Sequence, residues 1–140
     1  MLQSDRDMVR ALPLFRDMEE NNFNNLMAAA ELQHVPHHVT LILEGTLTDF
    51  LHVVIDGSVE IFCTHDGHET TIDIARPSAA FILASAIRND IYLSSARTLV
   101  PSQILLIPAK QIRDVFDHDP AFARAIALEL TEHHRSAVRA

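Results

Sequence analysis

The sequence has few of the residues that support covalent clusters or phosphate chemistry. It contains one cysteine, Cys63, three glycines and no tryptophan in 140 residues. A single cysteine excludes an internal disulfide framework and a four-cysteine iron–sulfur cluster. With so few glycines, the chain has no glycine-rich loop of the kind that cradles phosphate groups.

Positive charge is also scarce. The chain has 11 basic and 19 acidic residues, a formal net charge of −8, and Lys110 is its only lysine. Affinity for phosphate backbones comes from basic side chains, so we do not expect this chain to hold DNA by itself. No apolar run is long enough for a membrane span, and no basic-then-apolar leader opens the chain. The expected location is therefore cytoplasmic, with no membrane partner.

Residues 49–74 form the most informative stretch of the sequence. Apolar and polar side chains alternate along three short runs, which is the period of a β-strand with two different faces. Asp56-Gly57 and Asp66-Gly67 separate these runs, and such a pair between two alternating runs strongly indicates a hairpin with a type I′ turn. The stretch therefore predicts a three-stranded meander that curls into a sandwich or barrel.

Helical patterns flank the strands on both sides. The expected elements are helices at 5–12 and 19–30, strands at 31–35, 39–43, 92–100 and 102–107, and a buried helix or turn at 79–87. A last helix begins with Asp119 as N-cap and Pro120 at the first position, and runs unbroken to Ala140. We interpret residues 1–118 as one domain and 119–140 as a terminal helix of the same domain.

Four segments, by their order and spacing, resemble the sensor domain of CRP/FNR-type transcription regulators. They are LPLF at 12–15, ILEGTLTDFLHVVIDGSVEIF at 42–62, DGHETTIDI at 66–74 and IPAKQIRDVFDHDPAF at 107–122. The resemblance implies a mostly β fold with flanking helices, in which an antiparallel β-roll of the cyclic-nucleotide-binding kind (a double-stranded β-helix or jelly roll) follows N-terminal helices. It also implies a long C-terminal dimerisation helix, and DNA contact only through a helix-turn-helix domain that this sequence lacks.

The residues with which that family holds a cyclic nucleotide do not match. The family uses a Gly-Glu pair for the ribose and an Arg-Ser or Arg-Thr pair for the phosphate, which suits an Arg fork. Here Ile82-Leu83 stands at the first pair and Tyr92-Leu93 near the second. An apolar pocket cannot compensate a phosphate charge, so neither cyclic AMP nor cyclic GMP is expected to bind. The expected pocket residues are Phe81, Ile82, Leu83, Tyr92, Leu93 and Arg97, although Arg97 is out of register.

An apolar pocket suits an apolar or planar ligand, and some members of the family sense nitric oxide or carbon monoxide through haem. Iron would need an axial ligand, most simply His or Cys. The main candidates are His34, His52, Cys63 and His133, with His37, His38 and His134 as further ones. The alternatives stay open: solvated histidines, a small buried Cys63, and a pocket that holds no haem. The cofactor is otherwise unknown.

The terminal helix is expected to pair two chains into a homodimer. The spacing of a narrow seam is followed by the apolar Phe122, Ile126 and Leu130 and by His133. In the alternative, Phe122, Ile126 and Leu130 only cover the open side of the roll. We expect the first turns to do that and the later turns to face a second copy.

An enzyme is the rival interpretation. His37-His38, Glu44 and Gly45 loosely resemble the metal motif of cupins, although a cupin separates its two histidines by one residue. We find no Ser-His-Asp set and no supported pair of carboxylates. The favoured interpretation is an effector-sensing regulatory domain that is not an enzyme, with a cupin-type metal-dependent enzyme as the alternative.

Overall fold

Two antiparallel sheets form the centre of the molecule in a computed structural model that describes the backbone of residues 1–139 and the side chains of residues 1–132. The strands are β1 (Glu31–Val35), β2 (Thr40–Ile42), β3 (Phe50–Asp56), β4 (Val59–His65), β5 (His68–Ala75), β6 (Ala80–Phe81), β7 (Ser95–Thr98) and β8 (Ser102–Pro108). One sheet has the order β1-β8-β3-β6 and the other the order β2-β7-β4-β5. The predicted antiparallel roll is confirmed.

Helices precede, interrupt and follow the strands. Over residues 1–139 they are α1 (Gln3–Arg10), α2 (Glu20–Ala29), α3 (Leu83–Arg88), α4 (Ala109–His118) and α5 (Pro120–Arg139). The two predicted N-terminal helices and the long terminal helix are therefore present. None of the described helices is long and apolar enough to cross a membrane.

The first half of the predicted meander is wrong. In the described chain β3 does not pair with β4, because both its edges are taken, one by β6 and the other by β8. Asp56-Gly57 therefore carries the chain from one sheet to the other, and only Gly57 has a positive φ, 98°. A Cβ atom at Gly57 would lie 2.8 Å from the Cα of Ser102, so this corner admits no larger residue.

The second Asp-Gly corner is the hairpin that the sequence predicts. β4 and β5 pair antiparallel, with His65 opposite His68. Asp66 and Gly67 both have positive φ, 51° and 76°, as a type I′ turn requires. The same dipeptide thus makes two different corners, because the pairing of the flanking strands decides the turn.

The core has two parts, which lie on opposite faces of β3. Leu51 and Val53 belong to a cluster that packs against the helices, whereas Val54 belongs to a cluster inside the roll. Because both faces are covered, β3 is buried continuously from Leu51 to Val54. The alternating pattern in this strand therefore separates two interiors, and does not separate a core face from a solvent face.

Asp119 fixes the point where α5 begins. Its buried carboxylate accepts the backbone N–H of Phe122 at 3.1 Å, which confirms it as the N-cap. Its second oxygen accepts the N–H of Glu19 at 2.9 Å and the side-chain amide of Asn22 at 3.0 Å, both at the start of α2. Burial would raise the pKa of Asp119, but these hydrogen bonds outweigh it and lower the pKa.

The first turns of α5 pack into the core of their own chain. Phe122 and Ile126 are 0% and 1% exposed, and Phe122 stacks on Phe15 with ring centroids 6.2 Å apart. Leu130 is half-buried against the same cluster. The prediction of a dimer seam through Phe122 and Ile126 is thereby corrected, since a side chain buried in one chain cannot contact a second. The side chain of His133, the last predicted seam residue, lies outside the described residues.

We predict that Asp119→Ala lowers the free energy of unfolding by about 2–4 kcal/mol at neutral pH, because three hydrogen bonds to a buried carboxylate are lost. Since the folded pKa of Asp119 is lowered, its contribution is present above the ordinary Asp pKa and is lost as the pH falls through the folded pKa. Urea denaturation measures both effects. The exposed Asp117 supplies the control, and Asp117→Ala should change stability by less than about 0.5 kcal/mol. Equal losses in the two variants would contradict this role.

Candidate ligand groove

A groove of about 720 Å³ runs between α5 and the roll. Apolar side chains from both elements and from the loop after α1 line it, among them Leu14, Ile61, Ile74, Phe81, Ala125 and Leu128. A concave surface of this size and composition suits a mainly apolar small molecule.

Charged side chains of both signs line the same groove. Three are basic, namely Arg16, Arg76 and Arg124, and four are acidic, namely Asp17, Asp73, Glu129 and Glu132. Glu129 also accepts the backbone N–H of Ala80 at 3.4 Å, which links α5 to the edge strand β6. The balance of signs gives the groove no positive excess that would favour a phosphate.

Only two of the six predicted pocket residues lie at the groove. Phe81 and Ile82 line it. Leu83 is fully buried in the helix-side cluster, and Leu93 is largely exposed on the loop before β7. The structure thus separates residues that are close in sequence, because the chain changes from strand to helix at Ile82.

Tyr92 and Arg97 use their polar groups elsewhere in the fold. The hydroxyl of Tyr92 donates to the carbonyl oxygen of Phe50 at 2.8 Å and accepts the N–H of that residue at 3.3 Å. Arg97 forms ion pairs with Glu60 at 2.9 Å and with Glu69 at 2.7 Å. Neither side chain lines the groove, so these two predicted pocket residues lie outside it.

His52 lies behind the groove, inside the roll. It is 4% exposed, and its ring lies 6.4 Å from that of Phe50 and 5.4 Å from that of Phe81. The Nδ1 atom has no hydrogen-bond partner among the described groups. Burial lowers the pKa of His52 to about 4, and the nearby backbone of Phe50 opposes this in part, although it does not lie in hydrogen-bond geometry with Nδ1. The imidazole is therefore neutral at neutral pH.

The other proposed haem ligands are dispersed. His34 is exposed on β1, with Nε2 3.4 Å from the amide nitrogen of Gln103. The Sγ atom of Cys63 lies 3.6 Å from the carbonyl oxygen of Leu93. Among the groove residues that are described, none is His, Cys, Met or Tyr. The described lining therefore does not fit a haem iron. Of the predicted iron ligands, only His133 and His134 remain as candidates, and their side chains are not described.

The cupin alternative gains no support from the geometry. His37 and His38 are exposed between β1 and β2, and the Glu44 carboxylate accepts the N–H of Thr64 at 2.7 Å. Within the described part of the chain, no three His, Cys, Asp or Glu side chains are grouped so that they could hold a metal ion.

One feature of the groove has no clear signal in the sequence. Ile82 has left-handed backbone angles, φ 53° and ψ 36°, between β6 and α3. Such angles are a genuine outlier for a β-branched residue, and only Gly or Asn would have signalled them. The α5 wall was more accessible to prediction, since Ala121, Ala125 and Leu128 recur at helical spacing.

Comparison with known proteins identifies the family. Residues 32–119 match the model of the cyclic nucleotide-binding domain, so the chain belongs to this family. The fold is similar to the sensor domain of the transcriptional regulator DNR from Pseudomonas aeruginosa, at 18% identity and a TM-score of 0.80, covering 91% of each chain. The resemblance to CRP/FNR-type sensor domains is thereby confirmed in its fold.

Two longer regulators are also similar in structure. DNR from Pseudomonas aeruginosa is 20% identical over 99% of this chain and 62% of its own, with a TM-score of 0.80. The catabolite activator protein of Thermus thermophilus is 22% identical over 89% of this chain and 59% of its own, with a TM-score of 0.73. This chain thus spans about three fifths of each. Among curated protein sequences, none matches this chain significantly.

We predict that acid destabilises the protein through His52. Its folded pKa of about 4 lies below the unfolded value of 6.5, so between these pH values the unfolded chain binds a proton that the folded chain does not. The free energy of unfolding should therefore fall by about 2–3 kcal/mol between pH 7 and about pH 4.5. The paired neighbours Phe81 and Leu106 carry no charge that would offset this.

Urea denaturation of wild type, His52→Leu and His34→Leu at the two pH values measures this effect. His52→Leu should lose that part of the pH dependence, whereas the exposed His34 should have little influence. A His52→Leu variant with the full acid sensitivity of the wild type would contradict the assignment.

Proposed function

We propose that this chain is the effector-sensing and dimerising domain of a cytoplasmic CRP/FNR-type transcriptional regulator and catalyses no reaction. The observation that supports it best is the apolar groove, which is built jointly by the roll and α5. A ligand in this groove contacts both elements, so its binding free energy can favour one position of α5 over another. DNA contact belongs to a longer protein that carries a helix-turn-helix domain.

The proposed effector is not a cyclic nucleotide. The hydroxyl of Tyr92 is engaged by Phe50, and Arg97 is paired with two glutamates outside the groove. Three basic and four acidic side chains line the groove, which leaves one excess negative charge. A cyclic phosphate would therefore lose its hydration in a groove that carries no net positive charge.

We predict no measurable heat of binding when cyclic AMP or cyclic GMP is titrated to about 1 mM, which corresponds to a binding free energy weaker than about −4 kcal/mol. Micromolar affinity for either nucleotide would contradict the proposal. If such binding appeared, Arg124→Ala and Arg97→Ala would separate a phosphate contact inside the groove from one outside it.

Haem is a less favoured effector. The described lining of the groove has no side chain able to ligate iron axially, and the buried His52 lies behind Phe81. A haem would depend on His133 or His134, the two residues that follow Glu132. Absorbance in the Soret region of protein mixed with haem, compared between wild type and a His133→Ala/His134→Ala variant, tests this second candidate.

We assign dimerisation to the exposed side of α5. The helix has 20 residues and extends about 30 Å, while its core side is already engaged through Phe122 and Ile126. Leu128, which also lines the groove, is 56% exposed, and Ala127 next to it is exposed as well. In a two-fold dimer each Leu128 would be covered by the partner chain, which would remove its apolar surface from water.

We predict that wild type sediments as a dimer at tens of micromolar, and that Leu128→Glu weakens the dimer at least about tenfold, because the introduced charges would be buried. Leu93 is 66% exposed on the loop before β7 and supplies the control, so Leu93→Glu should sediment as the wild type does. A monomeric wild type, or a Leu128→Glu variant that dimerises normally, would refute this assignment.

A further inference from the structure

The unpartnered Nδ1 atom of His52 requires an explanation. A buried polar atom without a hydrogen bond is destabilising, and the great majority of such atoms in native proteins have a partner. His52 faces the roll interior, because it lies opposite Phe81 on β6 and Leu106 on β8, on the same face of β3 as Val54. Neither neighbour across the sheet can supply a hydrogen bond from its side chain.

Phe81 is the side chain that His52 and the groove share. Its ring packs on the imidazole at 5.4 Å, and the same residue lines the groove. Phe81 therefore contacts both the imidazole and the groove, and a rotation of its ring would open the space between them.

The backbone beside Phe81 is held in an unfavourable conformation. Ile82 occupies the left-handed region at φ 53°, which is rare for a β-branched residue because its Cβ crowds the backbone. Strain of this kind persists only where the surrounding structure imposes it, and it is concentrated at ligand sites and switches. Movement of the 81–82 segment would relieve the strain at Ile82.

We propose that His52 is a ligand-binding residue, that Phe81 and Ile82 form a gate between it and the groove, and that the effector is a neutral, mainly apolar molecule with one hydrogen-bonding group. The inference rests on the proposed function, since it takes the groove as the effector site. It adds the residue that the polar group of the effector reaches and the gate that must open first.

The neutrality of the ligand follows from the surroundings of His52. Its ring contacts are Phe50 and Phe81, and its partner on β8 is Leu106. A charged ligand group placed there would be buried without an opposite charge. A neutral imidazole can donate or accept at Nδ1 according to its tautomer, so a single neutral donor or acceptor on the ligand is sufficient.

Indole and indene form a matched pair of test ligands, because they have nearly the same shape and only indole carries an N–H. The protein has no tryptophan, so indole fluorescence reports binding directly, and competition with indole measures indene. Wild type should bind indole about three- to tenfold more tightly than indene, the value of one hydrogen bond. His52→Leu should abolish this preference, and His52→Gln, which keeps hydrogen-bonding groups, should retain part of it.

The exposed His34 gives the control, and His34→Leu should keep the wild-type preference. Thermal melts establish that each variant is folded. Absence of indole binding to wild type at millimolar concentration, or a preference that survives in His52→Leu, would overturn the inference. Neither result bears on the proposed function, which fails instead if cyclic nucleotides bind or if α5 does not dimerise.

The gate has its own test in the reaction of histidines with diethylpyrocarbonate, read out by peptide mass spectrometry. His52 should react at least about tenfold faster in Phe81→Ala than in wild type, because the ring that covers it is gone. It should react more slowly in Ile82→Gly, since glycine removes the strain that favours opening. His34 serves as the internal reference. Equal His52 rates in all three proteins would overturn the gate.

Discussion

The structure depends on one buried carboxylate, that of Asp119. It receives hydrogen bonds from the first turn of α5 and from the residues that begin α2, so two helices far apart in sequence share one cap. A neutral or shorter side chain would leave buried N–H groups without an acceptor. This shared cap fixes the start of α5 against the N-terminal helices, and the position of α5 in turn determines whether a groove exists.

The groove joins the roll to α5. Its lining comes from the corner of the roll around Phe81, from the loop after α1 and from the first four turns of α5, including Ala125 and Leu128. These turns also bury Phe122 in the core, so the helix cannot move freely along its whole length. The helix is therefore anchored at its N-terminal end.

Much of the fold could be predicted from the sequence, because local signals and the family resemblance agreed. The N-cap bond at Asp119 and the hairpin turn at Gly67 each join residues that are close in sequence. The corner at Gly57 could not be distinguished from a hairpin turn in the sequence, since its conformation depends on strands that are distant along the chain. The site was harder to predict for the same reason. The hydroxyl of Tyr92 is hydrogen-bonded to β3, and Phe122 packs into the core of its own chain; both contacts join residues that are far apart in sequence.

The central claim is that the groove takes a neutral, mainly apolar effector in place of a cyclic nucleotide. Native mass spectrometry of the protein purified from its own host tests this most directly, since it reports the bound compound and the number of chains together. The account predicts a dimer that carries an uncharged, mainly apolar small molecule. A cyclic nucleotide, or another phosphate-bearing compound, bound at one per chain would contradict it.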